Sequence, residues 1–569
     1  MVAQAPTVLD LYTPKLVTVL GEGYGARDFK ADVVAGLTVA IVALPLSMAI
    51  AIASGVTPDR GLYTAIIGGF IVSALGGSRF QIGGPAGAFI VLVSATVAQY
   101  GVDGLVLATA LSGVILLAVG ILRLGAFIKY IPYPVTVGFT AGIAVIIFVS
   151  QVKDLFGLSL TGKEPGPLLA KLQALGAALP TANLAAVAVA LASITVILAV
   201  RRLRPHWPAF LIAVVLAAVL TRVLHLPIDT IGSRFGGIPR SLPTPHLPAA
   251  SMAKIIEVLP VALSFALLGG IESLLSAVVA DSMSGRRHRS NCELVAQGAA
   301  NIGAALFGGI CVTGTIARTA TNVRAGARSP IAGMLHAGLL LLFMLVAAPL
   351  ASYIPLATLA AVLAVVAWNM AERHAFVTLV RASRGDAVVV IVTFLLVMFR
   401  GLTEGILIGF TIGALLFLHR MAQAVEVEAV RPLLQPDLPD AADDRREPYD
   451  AKMATDPDIV VFRLSGAFFF GAAAAVGAAL DSIGEHPKVY IIDVSVVPVL
   501  DSTAAATLEA FVHKVQRHGV RVYFAGAGRS VRRALLTHGL RPPQVRFKTT
   551  VAKALIAARA KEGAAGNRG

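Results

Sequence analysis

Long apolar runs recur through most of this chain, and they leave it few ways to fold. A helix of about 20 apolar residues crosses the hydrocarbon of a bilayer, and fewer suffice where the helix is broken. Such runs stand near 32–54, 61–77, 86–99, 104–122, 133–152, 182–200, 208–224, 255–281, 292–310, 315–324, 329–349, 354–370, 386–400 and 402–419. Lipid offers backbone N–H and C=O groups no partner, so each run must satisfy its own, as a helix. The expectation is a polytopic α-helical membrane protein of about 14 spans. Composition agrees. The 569 residues are 57% hydrophobic and only 14% charged, where a soluble protein carries roughly 25% charged residues.

The chain is basic, with a formal net charge of +15. Its bases do not form a nucleic-acid tract; they gather in short clusters between apolar runs. Counted from a cytoplasmic N-terminus, the even connections hold Arg79, Arg123, Arg201, Arg202, Arg204, Arg286, Arg287, Arg289, Arg324, Arg328, Arg373, Arg381, Arg384 and Arg420. Odd connections are sparse or mix signs, as in Lys153, Asp154, Lys163 and Glu164. The positive-inside rule then puts both termini in the cytoplasm of a bacterial inner membrane. Residues 1–30 carry charge too early for a secretory signal and read as a cytoplasmic lead-in.

The transmembrane domain is expected over 31–420. Residues 421–457 are polar and contain Pro, and read as a linker. From 458 to 558 the pattern becomes α/β: strands at Ile459–Leu464, Val489–Val494 and Val520–Ala525, with helices near Ala472–Ser482 and Ser502–Arg517. That length suits one small soluble domain. Residues 559–569 are expected to be a disordered tail.

Two spans, the third and the tenth, are short and stand seven spans apart. One opens Gly83-Gly84-Pro85-Ala86-Gly87-Ala88, the other Val312-Thr313-Gly314-Thr315. Transporters built from inverted repeats bind substrate at the midplane between two such broken helices. The start of each half-helix offers free N–H groups and a partial positive charge, so two facing starts make an anion site. Close helix packing is the competing reading of the same glycines. Arg318 lies in the first turns of the tenth span, where a cation faces substrate, water, an acid or the interface. Glu272 lies well inside the eighth span and reads as the proton-coupling carboxylate; a fixed pair with Arg318 is the alternative. Pro45 bends the first span, and Ser47 beside it can offer a hydroxyl. Asp281 reads as a helix-end or gate residue. Cys292 and Cys311 have no metal spacing and read as free buried thiols.

These stretches together resemble the SulP (sulfate permease) family. The likeness rests on GGSRFQIGGPAGAF before the third span, IESLLSAVVAD in the eighth, NCELVAQGAANIGAALFGG in the ninth and TGTIARTATNVRAGARSPIAG around the tenth. It implies a seven-plus-seven inverted repeat with core and gate domains, an elevator-like mechanism and a homodimer. It implies substrate-site positions at Leu46 and Ile50 in the first span, at the backbone of Gly87 and Ala88, and at Thr315, Ala317 and Arg318, with proton coupling at Glu272; Ser47 joins these as the hydroxyl read above. Many sulfate-type members carry Gln and then an aromatic after the first-span Pro; Leu46 and Ile50 stand there in this chain. The likeness is greatest to bacterial C4-dicarboxylate carriers, implying proton symport of a succinate-like anion, with sodium the less favoured coupling ion and sulfate or bicarbonate the alternatives.

The soluble part resembles a STAS domain, which implies a cytoplasmic protein partner. Its segment Val497-Pro498-Val499-Leu500-Asp501-Ser502-Thr503-Ala504 matches the strand-to-helix turn that is phosphorylated in related antagonists, with Thr503 at that position. Simple capping of the helix by Asp501 and Ser502 is the other reading. An uncoupled anion channel and an anion sensor remain as alternative classes. No enzyme, cofactor or metal is expected: no nucleophile–base set, metal spacing or phosphate loop stands out, and the 11 His are scattered.

Overall fold

The computed structural model describes residues 11–125, 132–162, 164–204, 207–423, 426–429, 458–468 and 487–565. The chain divides into two compact units, Met1–Gly413 and Ala414–Gly569.

The first unit is helical, and every apolar run named above falls on helix. Among the described residues, eight helices are long and apolar enough to cross a bilayer alone. The other expected spans are short or interrupted. Helix α1, Ala26–Ala53, contains Pro45. The second span is Pro58–Tyr63 and Gly69–Leu75 joined by a π-helical turn, Thr64–Gly68. A two-residue strand, β1, Gly83–Gly84, precedes a 3-10 turn, Gly87–Phe89, and helix α2, Ile90–Ile121. Gly101 sits inside α2 at φ 70°, ψ −176°, so α2 holds the third and fourth spans across a break. Only glycine adopts that backbone without strain.

In the second half, helix α3, Met252–Ser284, is the eighth span and helix α4, Ser290–Leu306, the ninth. Strand β2, Thr313–Gly314, leads into helix α5, Ile316–Arg324, and helix α6 follows at Ile331–Ala351. Packing is by close backbone approach. A Cβ on Gly113 of α2 would press on the Gly298 carbonyl, and one on Gly298 of α4 on the Gly113 carbonyl. Small residues at such crossings give tight contact where no hydrophobic force acts between helices.

The second unit carries a five-stranded sheet in the order β3 (Glu426–Ala429), β4 (Ile459–Ser465), β5 (Val489–Asp493), β6 (Arg521–Ala525) and β7 (Val545–Lys548). β3 is antiparallel to β4; the other pairs are parallel. β5 is buried along its length, as a central strand covered on both faces should be. Phe462, Tyr490, Ile492, Phe524, Leu508 and Leu535 fill one side. Val461, Ile491, Tyr523, Ala554 and Ala558 fill the other. Helices α7, Ser502–Gln516, and α8, Arg529–Thr537, belong to this unit.

Some boundaries differ from the sequence reading. β3 lies within the stretch read as linker, and a strand of four residues has too short a period to stand out there. The final helix, Val551–Ala565, runs past the expected end at 558. The helix expected near Ala472–Ser482 lies outside the described residues.

Candidate anion site

The two broken helices meet. β1 and β2 pair antiparallel, Gly83 opposite Gly314 and Gly84 opposite Thr313. The pairing needs glycine. A Cβ on Gly314 would collide with the Gln81 side chain, and one on Gly84, at φ 156°, with the Arg318 guanidinium. Past the crossing each strand runs into a helix start: Gly87 opens one, and Thr315 is the N-cap of α5. Neither start has a side-chain cap. Uncapped first-turn N–H groups and the positive end of the helix dipole favour an anion. Gly87 is half-buried, Ala88 buried and Ala317 exposed.

Polar side chains fasten the crossing. The Thr315 N–H and hydroxyl both donate to the Ile82 carbonyl, at 3.0 and 3.1 Å. The Ile82 N–H donates to Thr319 Oγ1 at 3.1 Å, which also accepts from the Ser276 hydroxyl at 2.9 Å. Asn322 donates to the Phe80 carbonyl at 2.9 Å. Asn301 of α4 brackets Val312, accepting from its N–H and donating to its carbonyl, both at 2.9 Å. Gln81 donates to Ser273 Oγ at 2.6 Å, and Thr313 Oγ1 to the Gly269 carbonyl at 3.0 Å. Sequence reasoning found none of Gln81, Ser273, Ser276, Asn301, Thr319 and Asn322. Gly269, Ser273 and Ser276 recur at helical spacing, so α3 presents one polar face to the crossing.

Glu272 lies on that side of α3, between these fastening positions, and is buried. Among the described residues no cation pairs with it, so the fixed Glu272–Arg318 pair is not formed. Arg318 is 1% exposed. Its Nη2 donates to Ser47 Oγ and to the Pro85 carbonyl, each at 3.2 Å. Thus the guanidinium lies behind the first crossing strand, bridging it to α1, and does not snorkel to an interface. Nε and Nη1 have no hydrogen-bond partner among the described residues. The remaining donors keep the site electropositive.

Other buried polar groups escaped the sequence reading. Asp32, in the first turns of α1, accepts from Tyr24 Oη at 2.8 Å and from the N–H groups of Arg328 and Ser329 at 2.7 and 3.2 Å. Glu293 of α4 accepts from the Ser78 N–H at 3.0 Å. His336 of α6 is fully buried, with neither ring nitrogen partnered among the described residues. Glu293 and His336 were legible as polar residues inside apolar runs. Asp281 sits at the end of α3 and meets His288 Nδ1 at 2.6 Å, a helix-end role. Cys292 and Cys311 are free and buried. Thr503 lies in the first turn of α7, whose N-cap, Asp501, accepts from the Ala504 N–H at 2.8 Å.

Comparison with known proteins adds the following. Residues 29–393 match the model of the sulfate permease family, and residues 450–554 that of the STAS domain. The chain is 39% identical over 513 residues to a putative sulfate transporter, YvdB, of Bacillus subtilis, covering 89% of this chain and 93% of that one. It is 31% identical over 525 residues to the bicarbonate transporter BicA of Synechocystis, covering 90% of each. Both relatives are named as transporters, not enzymes. Among solved structures, the murine Slc26a9 anion transporter in the inward-facing state superposes with a TM-score of 0.84 over 98% of this chain and 96% of that one. At 19% identity that likeness speaks for the fold alone. The transmembrane domain of a cyanobacterial BicA gives a TM-score of 0.60 at 29% identity, over 68% of this chain and 98% of that one.

Proposed function

This chain belongs to the sulfate permease family of anion transporters, and on that premise we propose a proton-coupled symporter whose anion sits between two helix starts. The observation that carries this reading is the pairing of β1 with β2, which brings the uncapped starts at Gly87 and Thr315 to one place. In this reading the Gly87, Ala88, Ala317 and Arg318 N–H groups hold the anion. The buried guanidinium of Arg318, which donates to Ser47 Oγ, adds positive potential from behind, and the Ser47 hydroxyl is left to offer its proton to the anion. Thr315 shapes the start of α5, its hydroxyl being donated to Ile82.

Glu272 carries the proton. It is buried beside the crossing without a cation partner among the described residues, so its charge can change during the cycle. A C4-dicarboxylate is the first cargo to test, on the likeness of GGIESLLSAVVADSMSG and IARTATNVRAGARSP to the C4-dicarboxylate carriers, with Leu46 and Ile50 counting against sulfate. Sulfate and bicarbonate form the second reading, favoured by what the relatives are named to carry. The core is proposed to move as an elevator within a homodimer, with both termini cytoplasmic and the STAS unit open to a protein partner.

Uptake of labelled succinate, sulfate and bicarbonate into proteoliposomes, side by side at two pH values, tests cargo and coupling together. One of the three is expected to accumulate when a proton gradient is imposed. Glu272→Gln is expected to abolish that accumulation and leave anion binding in place. Uptake indifferent to the gradient would favour an uncoupled channel, and binding without flux a sensor.

A further inference from the structure

Most of the unanswered polar atoms of the helical unit belong to four residues. Among the described residues nine buried side-chain nitrogen and oxygen atoms make no hydrogen bond, and six of them lie on Ser73, Arg318, Asn322 and His336. Two are Nε and Nη1 of the guanidinium behind β1, and two are the ring nitrogens of His336. Native interiors leave few such groups, so a concentration of them calls for a physical reason.

The glycines around them show how these residues are arranged. Gly69 and Ser73 stand one turn apart on the second span, and Gly333 and His336 one turn apart on α6. A Cβ on Gly333 would collide with Ser73 Oγ, and one on Gly69 would lie 3.9 Å from His336 Cε1 and 3.0 Å from the Gly83 carbonyl of β1. At the next residue of β1, a Cβ on Gly84 would meet Arg318 Nη1 and lie 3.7 Å from the Ala65 Cα, one turn before Gly69. The imidazole and the guanidinium therefore occupy successive turns of the second span, behind successive glycines of β1.

Their chemistry is complementary. A guanidinium has only donors to offer, and Ser47 and Pro85 answer Nη2 alone. An imidazole can accept on one nitrogen while it donates from the other. The Gly333 carbonyl lies beside the His336 ring without completing a hydrogen bond. It draws the ring proton to that side and leaves the other nitrogen as an acceptor. Ser73 Oγ can accept as well as donate. No two of these groups bond directly. A bridging water joins buried groups of this kind when it finds two to four polar partners, and Arg318, His336 and Ser73 are three.

We propose that His336 is a positioning residue of the anion site: through ordered water shared with Ser73 it accepts from Arg318 and fixes the guanidinium behind β1. The imidazole does not touch the anion. It holds the fixed charge at one place, and without it the guanidinium is free to turn on its two remaining bonds. Packing alone would be served by an apolar residue at 336, with no buried nitrogen to satisfy. The inference rests on the reading that the anion sits between the helix starts at Gly87 and Thr315. It is independent of which anion that is and of proton coupling at Glu272.

The test titrates the full chain in nanodiscs with labelled succinate, sulfate and bicarbonate, and the anion that the wild type binds most tightly is the probe. His336→Leu fills the space without a polar atom and is expected to weaken binding about fivefold, the worth of one net hydrogen bond. His336→Gln keeps an acceptor and a donor and is expected to bring affinity back to within about twofold of wild type. Ser73→Ala is expected to cost about twofold, and to cost nothing further when added to His336→Leu, as for two residues that hold one water. A merely structural His336 would give no such rescue by Gln. Thermal melting of each variant is the folding control. If His336→Leu does not fold, Ser73→Ala decides, and unchanged affinity there overturns the proposal. Arg318→Ala separates the two readings. Affinity lost in Arg318→Ala but kept in a folded His336→Leu overturns this inference and leaves the anion site standing. Affinity kept in both, or no binding of any of the three anions, overturns both.

Discussion

The two broken helices occupy matching places in the two halves of the helical unit, yet they are built from different chemistry. The first, from Gly83 to Ala88, is nearly bare backbone: its residues are Gly, Gly, Pro, Ala, Gly and Ala. It contributes N–H groups and close approach. The second, from Thr313 to Asn322, carries Thr313, Thr315, Arg318, Thr319 and Asn322, all buried. Most of these grip the first strand or α3 and do not face an open pocket. On the proposed reading, one half supplies the seat and the other the fastening and the fixed charge. Such a site would bind through backbone dipoles, which accept many anions, so its electrostatics can be shared by relatives with different cargo.

Three substitutions probe that division of labour, from the largest effect to the smallest. Gly314→Val drives a branched side chain into Gln81, itself tied to Ser273. It is expected to cost several kcal/mol, as overpacking with loss of a buried bond does, and to abolish transport. Size-exclusion chromatography of the purified protein checks it; a monodisperse, active Gly314→Val would show that the crossing tolerates space. Arg318→Ala removes the fixed charge and both of its bonds to Ser47 and Pro85. Anion affinity is expected to fall about tenfold or more, for a charged interaction of roughly 1.5–3 kcal/mol. Calorimetric titration with the transported anion measures this, and wild-type affinity would remove Arg318 from the electrostatics of the site. Gly87→Ala places a methyl at ordinary contact distance, 3.4 Å from Ile147 Cδ1 and 3.5 Å from Met370 Sδ. It keeps the N–H and is expected to change affinity by only about twofold. A loss as large as that for Arg318→Ala would mean that the anion sits against the Gly87 α-carbon itself.

The helical architecture and the two broken helices of the candidate site were legible because the apolar runs were long and the two short ones stood seven spans apart. What joins them was not. A two-residue strand has no period to detect, and only coordinates reveal that Gly83 faces Gly314. The fastening residues Gln81, Asn301 and Thr319 look like ordinary polar interruptions in sequence. Gln81 and Thr319 are separated from Ser273 and Ile82 by 192 and 237 positions, so no local window could pair them. Arg318 was found because charge in a membrane is costly, whereas its partners Ser47 and Pro85 lie 271 and 233 residues away. Asp32 was hidden at the very start of the first apolar run, where an acid reads as the water-side end of the helix.

The short ladder between β1 and β2 also limits how cargo can be let go. Prying the two helix ends apart would strand backbone groups in a medium with nothing to receive them. In the elevator cycle proposed above, the clasp stays closed and cargo is released as it moves whole past its surroundings. Those include Ile147 and Met370, which stand opposite Gly87. On that proposal, choice of passenger resides in the clasp, while the pace of the journey is set by the wall it slides along.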